Sequence, residues 1–406
     1  MAYTGENITY SYGNSTDHEY QLSQVTLAVT TSFYVLIFLL GIVGNILVLF
    51  VVCCNKDMRS STNYFLVNLS VADLLVLLVC MPVALLETYV IKPWLLGEAM
   101  CKLVPFLEYS TAQASVLTLV FISMERYVAI CHPLKAQYTI TPGRSIKICV
   151  LIWLIACGAS IPYLFMAKHS PYDMDINGEL LYECGTFINS TLAEVYIVSC
   201  FFLFFALPLV LLGGLYLKVA LALNRSQVRV QANGMSNGRA SRKVARSRDE
   251  SIPMQTYCLV RQDTGSSNSS VVRTPSSSPV RIKCERKANS LQAQQRTRKR
   301  VVYMLLAVVI TFFICLLPQR IVSLWFKYGT AEQQMSLGVE GVYTLVIVCR
   351  VLTYLNSSIN PLIYNIMSSK FRSAFVRALG FESKLRRIGT MSSRNGSVRA
   401  TTATAV

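Results

Sequence analysis

The chain has 406 residues, 53% of them hydrophobic and only 15% charged, with a formal charge of +17. Ordinary globular chains are roughly 25% charged, so a row of water-soluble domains is excluded. The bases flank long apolar runs instead of covering a face, which sets aside nucleic acid as a partner.

Residues 1–30 hold Glu6, Asp17 and Glu19 but no Lys or Arg. A cleaved signal would begin with a basic stretch, so the first apolar run is read as a span. The segment carries two glycosylation sequons, at Asn7 and Asn14.

Apolar runs then follow at Thr31–Cys54, Leu74–Leu86, Leu117–Met124, Ile148–Ala167, Val195–Leu217, Val301–Leu317 and Val342–Cys349. The shorter ones extend across a few polar positions to the roughly 20 residues a bilayer demands. Base-rich connections stay cytoplasmic, and the bases concentrate in 225–300 and beyond Met367. The N-terminus is therefore expected outside and the C-terminus inside. The fold class expected is an all-α membrane protein, a seven-transmembrane helix bundle over residues 31–367.

The chain has 13 cysteines. Cys53, Cys54, Cys80, Cys149, Cys157, Cys200, Cys315 and Cys349 fall in apolar runs and read as buried free thiols. Cys101 and Cys184 both fall on the outer side, where disulfides persist, and a bridge between them would tie the second outer loop to the third span. That loop also holds a third sequon, at Asn189.

Residues 225–295, rich in Ser, Arg, Gln and Asn, read as a disordered inserted loop. It is either a solvated linker or a set of phosphate acceptors. Residues 368–381, "SSKFRSAFVRALGF", read as a short amphipathic helix lying on the lipid of the inner leaflet. Residues 382–406 read as a disordered tail. Its end, Thr404-Ala405-Val406, fits a ligand for a PDZ domain.

Polar residues inside spans are costly and mark function. Here they are Asn45, Asp73, Ser115, Asn356, Ser357 and Asn360. One carboxylate among amides and hydroxyls suits a sodium ion at Asp73, since all the ligands are oxygen. The same set suits a water-filled hydrogen-bond network. No other metal or cofactor is expected.

This series resembles the rhodopsin-like (class A) G-protein-coupled receptors over nearly the whole chain. The landmarks are Asn45, "LSVADL", Cys101 with "ERY", Trp153, Pro208 with Tyr216, "FFICLLP" and "NPLIY", in order along the chain. The resemblance implies that Glu125, Arg126 and Tyr127 form an inner switch. Glu125 would hold Arg126 at rest and release it to a heterotrimeric G protein, helped by Tyr216 and Tyr364. Arrestin is implied as a further partner. Two departures stand out. Arg298, Lys299 and Arg300 replace the acid many members carry at the inner end of the sixth span, which predicts raised basal activity. Leu316 and Leu317 occupy Cys-x-x-Pro where many members have Trp, leaving Phe312 to relay the motion.

The outer halves of the spans offer Glu87, Glu108, Tyr109, Gln113, Arg320 and Arg350 as ligand contacts. Two acids and two arginines suit an extracellular peptide hormone of mixed charge, and each arginine is free to pair internally with a glutamate. The pattern looks like the receptors for thyrotropin-releasing hormone, growth-hormone secretagogues and neuromedin U. "CLLPQR" is similar to arthropod ecdysis-triggering-hormone receptors, which bind C-terminally amidated neuropeptides. The resemblance favours Gq coupling and calcium release at the plasma membrane. A transporter or channel is disfavoured by the absence of an internal repeat. An enzyme is disfavoured by three scattered histidines and no nucleophile motif.

Overall fold

The computed structural model describes residues 22–90, 92–174, 178–188, 190–225 and 279–378. The sequons at Asn7, Asn14 and Asn189 and the terminal Thr404-Ala405-Val406 lie outside them. Among the described residues seven helices are long and apolar enough to cross a membrane: Gln24–Cys54, Ser61–Tyr89, Gly97–Cys131, Pro142–Met166, Thr191–Arg225, Lys299–Tyr328 and Gly338–Met367. An amphipathic helix, Ser369–Ala378, follows with Phe371, Ala374 and Phe375 buried.

By internal contacts the chain forms two units, Met1–Val219 with Tyr303–Val406, and Ala220–Val302. The described parts of the second unit are helical, ending the fifth span at Arg225 and opening the sixth helix at Pro279. Residues 279–295 are thus helical where a disordered loop was expected. The cause is local: "VRIKCERKANSLQAQQRTRKR" contains no Gly or Pro and is rich in good helix formers.

Several helices begin earlier than their apolar runs because serines cap them. Ser23 accepts the amide of Thr26 at 3.2 Å, and Ser190 that of Ala193 at 3.2 Å, satisfying donors the helix leaves free. The second and fifth spans each contain a π turn, Val76–Cys80 and Phe202–Ala206. Each ends with an amide bonded five residues back, Met81 to Val76 and Leu207 to Phe202. A proline, Pro82 or Pro208, comes next in each case. A proline ring clashes with the carbonyl four residues earlier and has no N–H to give, and a widened turn relieves both.

The first span is approached closely at Gly41 and Gly44, where an added Cβ would meet Leu77 of the second span and Ser358 and Pro361 of the seventh at 2.5–3.1 Å. Lipid is as apolar as leucine, so packing of this kind and interhelical hydrogen bonds hold the bundle. A core cluster of Tyr34, Ile37, Leu77, Cys80, Met81, Ala84 and Tyr354 joins the first, second and seventh spans.

Among the described residues one regular element is not helical. Ala167–Met174 and Leu180–Thr186 form an antiparallel hairpin, with an irregularity between Pro171 and Asp173. Cys184 on its second strand is bonded to Cys101 at the start of the third span, as expected. The Trp94 amide donates to the Tyr182 carbonyl at 2.7 Å, so the hairpin also bonds to the connection between the second and third spans. Cys80, Cys315 and Cys349 are buried free thiols, but Cys53 and Cys54 are exposed and Cys149, Cys157 and Cys200 only partly buried. An apolar residue in a span can face lipid as well as the core, which overturns the expectation of burial for these five.

Candidate functional site

Three polar clusters line the bundle from the hairpin end to the opposite end. At the hairpin end, Arg350 Nη1 and Glu87 Oε2 form an ion pair at 2.6 Å between the seventh and second spans. Below it, the Tyr354 hydroxyl donates to Glu108 Oε1 at 3.0 Å, and Tyr34 meets the Tyr354 ring edge-on with centroids 5.6 Å apart. Arg320 takes a different partner from Arg350. Among the described residues it forms no ion pair with a carboxylate, and its guanidinium lies 5.7 Å from the centroid of the Tyr109 ring. Its Nε is buried without a hydrogen-bond partner among the described residues. Gln113 accepts from Ser160 at 3.4 Å and is turned toward the fourth span. The expectation that either arginine pairs with a glutamate thus holds for Arg350 and not for Arg320. On the rim, Lys327 pairs with Glu194 at 2.6 Å, joining the sixth and fifth spans.

The second cluster surrounds Asp73, which is 2% exposed. Asn360 donates to Asp73 Oδ2 at 2.9 Å. Asp73, Ser115, Asn356 and Ser357 line one cavity of about 40 Å³, which also reaches Glu108, Thr111, Phe312 and Thr353. The side-chain oxygens of Asn356 and Asn360 are buried without partners among the described residues. Oxygen donors around a carboxylate, with lone pairs unspent, fit a sodium ion. Asn45 stands outside this group. It donates to the Gly41 and Ser357 carbonyls, both at 2.9 Å, and joins the first span to the seventh.

The third cluster holds Glu125 and Arg126. Neighbours on a helix do not face each other, yet Arg126 Nη2 reaches Glu125 Oε1 at 2.6 Å. Both side chains bend toward the start of the second span. There Thr62 donates to Glu125 Oε1 at 2.7 Å and Ser61 to Oε2 at 2.9 Å. Ser61 also bonds Ser145 on the fourth span, and Arg126 donates to the Thr62 hydroxyl. Tyr127 packs on His132 and beneath Lys218. The Tyr216 hydroxyl lies 3.2 Å from Ser123 Oγ. Tyr364 is fully buried against Phe371, its hydroxyl unpartnered among the described residues.

Sequence reading missed Ser61, Thr62 and Ser145, which resemble ordinary residues at helix starts, and Tyr34, Tyr163 and Tyr354, which resemble packing. Asn68 on the second span accepts from Trp153 at 2.9 Å and donates to Thr118 at 2.8 Å.

Seven spans, the disulfide-tied hairpin and these clusters define a seven-helix membrane receptor, a class of receptors and not of enzymes. The family model for the seven-transmembrane receptors of the rhodopsin family matches residues 44–364, and the chain belongs to that family. Similar proteins include the pyrokinin-1 receptor of Drosophila melanogaster, 33% identical over 90% of this chain and 82% of the relative. The QRFP-like peptide receptor of Branchiostoma floridae is 28% identical over 88% and 79%. The neuromedin-U receptor 2 of Rattus norvegicus is 29% identical over 87% and 75%.

Proposed function

We propose that the chain is a plasma-membrane receptor, with its N-terminus outside, for an extracellular, C-terminally amidated neuropeptide of the ecdysis-triggering-hormone kind, coupled through Gq to calcium release. The observation that carries this is the contrast between the two arginines. Arg350 is neutralised by Glu87, whereas Arg320 is held on an aromatic face with no carboxylate paired to it among the described residues. A guanidinium so placed offers N–H donors to neutral carbonyls, such as a peptide backbone or terminal amide. The pair Glu87–Arg350 opens to a ligand of mixed charge. Glu108 is already charge-assisted by Tyr354 and receives a basic ligand group. Relatives named as receptors for pyrokinin, a QRFP-like peptide and neuromedin U support a peptide ligand. They also favour a second reading, a pyrokinin- or neuromedin-like peptide at the same site.

Ligand binding would bias the Glu125–Arg126 cluster, freeing Arg126 for a heterotrimeric G protein and later arrestin. A sodium ion would be held by Asp73 with Ser115, Asn356 and Ser357, and would supply positive charge beside the buried carboxylate. The PDZ ligand at the C-terminus and glycans at Asn7, Asn14 and Asn189 belong to the same reading.

Calcium in cells expressing the chain, challenged with amidated peptides, tests it. A response at low concentration that is lost in Arg350→Ala supports receptor and pocket together. A response surviving Arg350→Ala moves the ligand elsewhere. Silence with confirmed surface expression rules out amidated peptides or Gq.

A further inference from the structure

We propose that Tyr163, on the fourth span, is a positioning residue for the ligand contact made by Arg320 on the sixth. The inference rests on the reading of Arg320 as a ligand contact. Tyr163 is 1% exposed, too buried to reach a ligand itself. Its ring stacks on Tyr109 with centroids 3.7 Å apart and planes 7° from parallel. The edge of Tyr196 meets it at 5.6 Å and 64°, and the Tyr196 hydroxyl donates to the Ala159 carbonyl one turn below Tyr163. Three tyrosines from the third, fourth and fifth spans thus form one fixed block. Arg320 lies over the Tyr109 ring of that block.

The block matters because of what Arg320 lacks. Among the described residues its Nε is buried and unpartnered and no carboxylate fixes its plane. Guanidinium donors are directional, and they act on a planar acceptor only when the fork is held in register. Here the Tyr109 face supplies that register by a cation–π contact, and Tyr163 keeps the face from tilting. A residue without a flat ring at 163 leaves Tyr109 free to rotate and Arg320 free to swing.

The test uses the full-length receptor at the surface of cells, with calcium as the readout. The probes are synthetic pyrokinin, neuromedin U and ecdysis-triggering-hormone peptides, each made as the amide and as the free acid. Arg320→Ala and Tyr163→Leu are each expected to raise the half-maximal concentration about 10-fold and to narrow the preference for amide over acid. Tyr163→Phe, which keeps the ring, stays within about threefold of the parent. The double variant is no worse than Arg320→Ala alone, because the two changes remove one interaction. Tyr163→Met, of similar bulk without a flat face, reads the same difference if the leucine variant fails to reach the surface. Two results overturn the inference: Tyr163→Leu matching the parent while Arg320→Ala weakens the response, or losses that multiply in the double variant. If Arg320→Ala changes nothing, the ligand reading falls first. Silence of the parent across the panel, with surface expression confirmed, removes both.

Discussion

A Cβ on Gly44 would stand 2.8 Å from Cβ and 2.9 Å from Cγ of Pro361, so the backbone of the first span packs directly on the Pro361 ring of the seventh. Overpacking of this kind costs ~1–3 kcal/mol. Gly44→Val is expected to lower the melting temperature of the detergent-purified receptor and the fraction reaching the surface. Gly158→Val, at a position with nothing within 4 Å of its Cβ, is expected to change neither. Equal effects of the two would show that the close approach is not what matters.

Thr62 bonds both Glu125 and Arg126. The bases at 298–300 led to an expectation of raised basal activity, because the sixth span offers Arg126 no acid. The restraint found here comes from the second span instead. A hydrogen bond to a charged group is worth ~1.5–3 kcal/mol, so Thr62→Val loosens the pair and raises ligand-independent inositol phosphate several-fold. Basal output at or below the parent's would count against this role.

The Glu87–Arg350 pair is partly exposed, at 32% and 22% of the side chains, and contributes no more than ~1 kcal/mol to stability. The proposed role of the pair is in binding. Glu87→Arg with Arg350→Glu should restore surface expression to the parent's level, yet leave peptide potency about 10-fold or more below it. Full recovery of potency by the swap would make the pair purely structural.

Asp73→Asn removes the carboxylate that Asn360 bonds beside Asn356. If sodium binds there, replacing sodium by N-methylglucamine shifts agonist affinity in the parent and not in the variant. A parent indifferent to sodium would leave water as the occupant of the cavity.

The Cys101–Cys184 bridge spans a sequence separation of 83. Closing a loop of that length removes ~4–5 kcal/mol of freedom from the unfolded chain. Cys101→Ser is expected to be retained inside the cell, and mild reduction of the parent at the surface should abolish the calcium response. Normal trafficking of the serine variant would contradict this.

The seven spans were legible because uncharged stretches of that length have few other fates in water or lipid. So were Asp73, Glu125 and Arg126, whose charges are expensive where they stand. Partnerships were harder. Tyr354 and Glu108 lie 246 residues apart, and no periodicity links them. Arg350 and Arg320 look alike in sequence, and only the fold gives one an acid and the other a ring. Thr62 and Ser61 sit where a helix start would place any hydroxyl. The hairpin hid because Pro171 and Asp173 are poor strand residues, and its register depends on a cysteine partner in another span.

The π turns before Pro82 and Pro208 change how positions are counted. One extra residue in a turn rotates everything beyond it by about 100°. Glu87 lies beyond the first of these turns. Its approach to Arg350 therefore depends on a local insertion as well as on its own identity. Relatives that keep the glutamate but tighten the turn by one residue would aim it along a different radius. Numbering residues outward from a landmark such as Asp73 will then pair side chains that never occupy the same place, and the comparison has to be made turn by turn.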